Sequence, residues 1–289
     1  MRKTLFLIAG VLFCAFGLNA QIFYKVSGNG LEKPSYLFGT HHLAPLSVLT
    51  ENEKAMKAFK DVAAVVTEID MTQDQLTLQS AMVPYMLAPQ DSTLSKVLRP
   101  EDLAKADSVF QSLTGLPIAT VDPYRPMLAA TNISVMVMMK NMPEFIQNEQ
   151  LDTYICGQGA ASGKKALAFE TAAQQAEIMF ASIPVSEQAK SLMELVNDPQ
   201  KAIETSKKIN EAYFTHDLQK LLAISLDEDE NPEFMKKLLD ERNADWLRQL
   251  PEMMKDQDVF VGVGALHLAG EQGLVEGLRR LGYTVESAE

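Results

Sequence analysis

The sequence predicts an α/β (α+β) fold. A small mixed central sheet of about four to six strands is formed from strands at both ends and the middle of the chain, with large helical insertions between them. Three observations predict it. Apolar runs of strand length stand at Val62–Ile69 and Asp258–Val263. An alternating pattern opens at Ile22. The long stretches 72–149 and 171–255 carry helical patterning punctuated by prolines.

Taken in order, Ile22–Val26 alternates, Gly28-Asn29-Gly30 turns, and Ser35–Phe38 forms a second strand that stops at Gly39. This is a hairpin signature. Thr50-Glu51-Asn52-Glu53 has the capping-box spacing and opens a helix to about Lys60. Val62–Ile69 is apolar but for Thr67 and Glu68, as expected of a strand buried on both faces. Helices then run to about Glu149, with breaks expected at Pro84, Pro89, Pro100, Pro117 and Pro126. Lys164–Phe169 is a short strand ending at Glu170. Helices fill Thr171–Lys255, with breaks at Pro184, Pro199 and Pro232. Asp258–Val263 is a strand, Gly270–Leu281 a helix closed by Gly282, and Tyr283–Val285 a final strand.

Residues 1–20 are set apart from this fold. Arg2 and Lys3 precede an uncharged apolar run from Thr4 to Leu18, and Ala20 stands before Gln21. This is the pattern of a signal peptide cleaved after Ala20, leaving a single domain over 21–289. The run is short for a bilayer span of about 20 apolar residues. No later segment is long and apolar enough for one, so no stable membrane span is expected after cleavage. Phe13 before Cys14 excludes a lipid-anchor site.

The full chain carries 26 basic and 38 acidic residues, a net charge of −12. Without Arg2 and Lys3, 24 basic residues face 38 acidic ones, and the charge is −14. Such a surface repels phosphate backbones and anionic lipid, so nucleic acid is excluded as a partner. A peptide or small-molecule substrate, neutral or basic, or a cation remains. Cys14 leaves with the leader, and Cys156 alone cannot form an internal disulfide. It is read as a small buried apolar residue.

The chemistry lies in a repeated setting. Phe38-Gly39-Thr40-His41-His42-Leu43-Ala44 and Val263-Gly264-Ala265-Leu266-His267-Leu268-Ala269 superimpose, matching Gly39 to Gly264 and His42 to His267. In each a strand meets a glycine and a histidine follows three residues later. Ligands in open α/β sheets collect beyond the carboxyl ends of strands. Glu68 and Glu170 also end strands, so all four polar groups are expected at one sheet edge. Two imidazoles and a carboxylate form a known ligand set for a hydrolytic divalent metal. His42, His267 and Glu68 are the candidate metal ligands. Glu68 or Glu170 could equally act as general base.

Plainer readings stand beside these. A histidine after a strand can be a satisfied turn residue, although its repetition favours a site. Glu170 before Thr171 could cap the next helix. His41 points away from His42 in an extended chain and takes a packing or supporting role. His216 lies in a helical region and is read as a surface residue. Arg242 and Trp246 share a helix face. Trp246, the sole tryptophan, packs that helix on the core. Arg242 either enters the crevice, to hold an oxyanion or carboxylate, or pairs with Asp240 or Asp245. Gly159–Lys165 falls short of a phosphate loop and reads as a solvated loop. The methionine-rich stretch Met127–Met139 reads as a core helix, or as an adaptable groove wall for peptides.

Together these residues resemble the TraB/PrgY/GumN family, which includes the Tiki proteases, along nearly the whole chain after residue 20. The resemblance rests on Phe38–His42 and Gly264–His267, with Val66–Asp70, Leu167–Thr171 followed by Gln174 or Gln175, Arg242–Trp246 and Gly282–Val285. It implies a fold similar to erythromycin esterase and the haem-binding ChaN protein. It also implies a metal-dependent hydrolase centred on the two histidines and the strand-end glutamate, with manganese or cobalt as in the Tiki branch; zinc is a further candidate for such a ligand set. The leading reading is an exported peptidase of the periplasm or cell envelope with His42, Glu68, His267, Glu170 and Arg242 in its catalytic site. The alternative is a non-catalytic binder of peptides, or of haem or another metal-containing ligand, using the same crevice. Neither reading specifies an oligomeric state.

Overall fold

The computed structural model describes residues 21–141, 149–228 and 231–288. The expected leader lies outside them. β1 (Phe23–Ser27) and β2 (Ser35–Thr40) form the antiparallel hairpin, turning through Gly28, Asn29 and Gly30, all at positive φ. β2 runs one residue past the expected stop. α1 (Ser47–Thr50) and α2 (Glu53–Asp61) lead to β3 (Ala64–Thr67). The expected helix start at Thr50 is corrected here. Asn52 caps α2 by accepting from the Ala55 N–H, while the Thr50 hydroxyl bonds back to Leu46 O and ends α1.

The first insertion comprises α3 (Gln75–Met86), α4 (Leu94–Val97), α5 (Pro100–Thr114), α6 (Pro126–Asn141) and α7 (Leu151–Ala161), ahead of β4 (Lys165–Ala168). The second comprises α8 (Ala172–Ala176), α9 (Val185–Asn197), α10 (Pro199–Phe214), α11 (Leu218–Glu228), α12 (Pro232–Met235) and α13 (Arg242–Asp256). β5 (Val259–Gly264), α14 (Leu274–Arg280) and β6 (Thr284–Ser287) complete the chain. Pro100, Pro126, Pro199 and Pro232 each begin a helix, where the missing N–H costs nothing. Pro84 instead lies inside α3, and Pro251, not expected as a break, lies inside α13. In α13 the burial of Leu250 and Met254 on either side outweighs one lost ladder bond.

The six strands form one mixed sheet in the order β4-β3-β5-β2-β1-β6. β4, β3, β5 and β2 are parallel, and β1 runs against both β2 and β6. Register then sets the site. Thr67 is level with Ala168 on one side and Gly262 on the other, and Thr40 is level with Gly264. The carboxyl ends of all four parallel strands therefore share one edge.

Every residue of β3 is buried. α7 covers it and comes close because two glycines leave room. A Cβ on Gly159 would lie 2.5 Å from Val65 Cγ2, and one on Gly262 would lie 2.6 Å from Ile155 Cδ1. Gly159–Ala161 of the expected Gly159–Lys165 loop are thus the end of a helix, with Gly159 against the sheet and Gly163 turning at positive φ. The sheet and its covering helices share one apolar cluster. A second cluster, built on Leu94, Phe110, Ile133 and Leu192, lies within the helical insertions. α6 joins it through Ala129, Ile133 and Val137, and its methionines are only half-buried or exposed. His216 sits not in a helix but in the break between α10 and α11, at φ 56°. No helix among the described residues is long and apolar enough to cross a membrane.

Candidate functional site

Strand geometry delivers the acids first. The β3–β4 ladder continues past both strands, with Phe169 N–H donating to Thr67 O and Glu170 N–H to Glu68 O. Glu68 and Glu170 thus leave neighbouring strands side by side. The Glu68 side chain reaches toward β5, where its Oε1 accepts from the Gly264 N–H at 2.9 Å. A Cβ at Gly264 would stand 3.3 Å from that oxygen, so the glycine leaves the carboxylate its place. Gly39 does something else: a Cβ there would lie 3.1 Å from Ala265 and Leu268, so its bare Cα makes room for the Ala265–Leu268 turn. The two glycines of the repeated motif therefore serve different contacts.

Arg242, at the start of α13, is the hub of the cluster and only 6% exposed. Its Nη2 donates to Glu68 Oε2 at 2.6 Å and to Glu170 Oε1 at 2.5 Å, and its Nε to Glu170 Oε2 at 3.2 Å. Its Nη1 lies 3.0 Å from His267 Nε2. Of the two placements the sequence left open, the crevice is the one observed. Gln175 Nε2 ties both acids together at 3.0 and 3.2 Å. Gln174 instead closes a capping box with Thr171, so the helix cap is Thr171 and Glu170 is free to face Arg242. Trp246 packs as expected: it is 1% exposed, stacks on Phe169 with ring centres 4.8 Å apart, and lies under both His267 and Arg242.

The protonation states follow from this packing. Burial alone raises the Glu68 carboxyl, but His267, Arg242 and the Gly264 N–H overturn that and bring it to about 2. Burial pulls the His267 ring down to about 3, so at neutral pH it carries no charge. Arg242 and Gly264 then hold the Glu68 charge. Glu170 moves the other way, raised chiefly by burial despite its bonds to Arg242. His267 Nδ1 lies 2.7 Å from Asn243 Oδ1, and the Asn243 amide donates to Gln272 O, which fixes which way that amide points. The ring is therefore the Nδ1–H tautomer, and its Nε2 lone pair faces Arg242 and Glu68.

The two motif histidines differ sharply in setting. The His267 side chain is 5% exposed and that of His42 is 72% exposed. His42 Nδ1 stands 3.5 Å from Asp152 Oδ2, and Asp152 raises the ring's proton affinity, with Glu68 adding to it. Glu68 thus exerts its charge on His42 as well as on His267. His41 takes the packing role expected of it, against Asn210 at 2.6 Å and the Tyr213 ring.

The chemistry of Glu68 and His267 suits a divalent cation. One is ionised, the other turns a lone pair inward that now accepts from Arg242, and Glu68 Oε1 lies 3.8 Å from His267 Nε2. Two donors at about 2.1 Å each from one ion span that separation. The third donor is not drawn in: among the described residues no group of three His, Cys, Asp or Glu side chains is assembled to hold a metal ion. A cavity of about 400 Å³ adjoins Glu170 and Arg242 and is bordered by π-helical turns at Glu177–Ala181 and Lys236–Glu241. Sequence reasoning gave no role to Asn243 or Asp152. Asn243 stood beside Arg242 in a quoted motif, whereas nothing in the pattern around Asp152 marked it.

The sequence has relatives among known proteins. The chain is 25% identical to metalloprotease TIKI2 of Xenopus tropicalis, over 88% of this chain and 57% of that relative. It therefore spans little more than half the relative's length. No solved structure matches it significantly. The model of the TraB/PrgY/gumN family matches residues 22–287, which takes in every strand of the sheet and every residue of the cluster, and the chain belongs to that family.

Proposed function

We propose that this chain is an exported, metal-dependent hydrolase of the periplasm or cell envelope that cleaves peptides. The observation that carries the reading is the opposed tuning of adjacent groups. Glu68 is held ionised, His267 neutral with Nε2 as its lone-pair nitrogen, and Glu170 raised, all within reach of one guanidinium. Carboxyls whose environments push them apart take different roles in a site. Glu68, held ionised, serves as a ligand, and Glu170, with the raised proton affinity, takes the proton of the attacking water and returns it to the leaving amine. Arg242 offers the developing oxyanion a fixed positive charge. Glu68 and His267, with His42 drawn in as third donor, would hold a divalent manganese, cobalt or zinc ion, which when bound would supply Lewis acidity at the carbonyl.

The family relative that is a metalloprotease supports this reading. One observation favours the non-catalytic alternative: Arg242 already occupies His267 Nε2. The test uses residues 21–289 incubated with manganese, cobalt or zinc and a mixed peptide pool read by mass spectrometry. Cleavage that needs metal and is lost in Glu68→Gln is expected. Peptide retained unaltered, with any metal, means a binder.

A further inference from the structure

Asp152 is a buried acid that the hydrolytic reading does not use. It is the second residue of α7 and only 4% exposed. Its place is not adjustable, because α7 is pinned to the sheet by Gly159 against Val65 and Ile155 against Gly262. One oxygen, Oδ1, accepts from the hydroxyl of Thr40, the buried last residue of β2, at 2.6 Å. The other, Oδ2, has no hydrogen-bond partner among the described residues and lies 3.5 Å from His42 Nδ1. That is just beyond a formed bond, which for a charged pair closes at about 2.8 Å. A buried carboxylate oxygen left without a donor is costly, and the nearest donor it can recruit is the ring of His42.

We propose that Asp152 is the positioning residue for His42. Anchored by Thr40, its carboxylate draws in the ring through Nδ1–H and leaves Nε2 as the lone-pair nitrogen turned away from α7. This assigns His42 the tautomer that Asn243 imposes on His267. The repeated motif would then present two Nε2 donors, each set by a partner from a different helix. The partners are not equivalent. Asn243 is a neutral amide in a buried pocket, whereas Asp152 is a carboxylate beneath an exposed ring, able to reorient it without a preformed bond. An orienting carboxylate also makes the opposite nitrogen a better donor. The role in catalysis rests on the hydrolase reading, but the tautomer does not.

The experiment therefore reads the ring directly. Residues 21–289, labelled with ¹⁵N histidine, are examined by long-range proton–nitrogen NMR above the titration of His42. Wild type is expected to show His42 predominantly as Nδ1–H. In Asp152→Asn the tautomer ratio should shift about tenfold toward Nε2–H, the size of one lost hydrogen bond, with His267 unchanged. Cobalt affinity should fall with it. A His42 ratio unaltered in a folded Asp152→Asn protein overturns the proposal, whatever the peptidase assay finds. The shift without any peptide cleavage by wild type keeps Asp152's role and rejects the hydrolase. Should Asp152→Asn fail to fold, Thr40→Val decides: it keeps the carboxylate but frees it, and an unchanged His42 ratio there also overturns the proposal.

Discussion

The Arg242 guanidinium satisfies more of the cluster than any other group. It compensates two half-buried carboxylates and donates to an imidazole, and five N–H groups in a fixed fork make that possible. Arg242→Met leaves Glu68 and Glu170 facing each other without a cation. Removing one partner of a buried charge pair costs about 3–5 kcal/mol, and urea denaturation should show a loss of that order. Arg242→Lys should recover only part of it, because an ammonium cannot reach three partners in one plane. The pH dependence follows from the two shifted groups of the same cluster. His267 titrates at about 3 folded against about 6.5 unfolded, so between those values only the unfolded chain binds its proton. Stability then falls as pH drops through that window. Glu68, at about 2 folded against 4.5, adds a loss of the same sign at lower pH. His42 acts oppositely: its raised affinity stabilises the fold below the unfolded value, and this is lost as pH rises through the folded one. Denaturation measured across pH should give a slope of about one proton between pH 4.5 and 6.5, above the Glu68 window, and His267→Asn should abolish it.

At the scale of elements, α7 decides how closely the helical insertion approaches the sheet. Gly159 is a helix-interior position where alanine would ordinarily gain about 1 kcal/mol of helix propensity. Here the added Cβ would meet Val65 Cγ2 at 2.5 Å, on a strand with no exposed face to yield into. Overpacking of this kind costs about 1–3 kcal/mol. Gly159→Ala should therefore lower stability despite its propensity gain, as a shift in the urea midpoint. The same displacement would lift Asp152 from Thr40, so the variant should also weaken cobalt binding. The helix starts were partly legible in the sequence. Prolines marked α5, α6, α10 and α12, because proline is tolerated where no ladder bond is lost. The α2 cap was misplaced by two residues, since Thr50 and Asn52 both have capping side chains and only tertiary packing chose between them.

At the scale of the molecule, β6 protects the sheet. It pairs with β1, buries Val285 and accepts two bonds from Arg279 through Val285 O. Truncation after Gly282 would leave β1 as an open edge, a template for pairing with other chains. Size-exclusion chromatography of residues 21–282 should show association, with loss of a single cooperative unfolding transition. The opposite edge, β4, is a short, half-buried strand with exposed Lys165 at its start, which suits a strand left unpaired on one side.

The sequence by itself determined which segments become strands, that they come from both ends and the middle, and that both motif histidines and two glutamates stand just beyond strand ends. These are local properties: apolar runs bounded by turn residues read the same in any context. Only the tertiary structure decided how those ends are used. The order β4-β3-β5-β2 put Glu68 between Glu170 and Gly264. α13 brought Arg242 in as the shared cation instead of leaving it on Asp240 or Asp245. Near-identical motifs gave one buried histidine and one exposed, because α13 covers the second and α7 only underlies the first. Asn243 and Asp152, the partners of those rings, lie 24 and 110 residues from them, a separation over which no sequence period operates. Burial and charge at a site are set by what packs across it, and that is a property of the assembled chain.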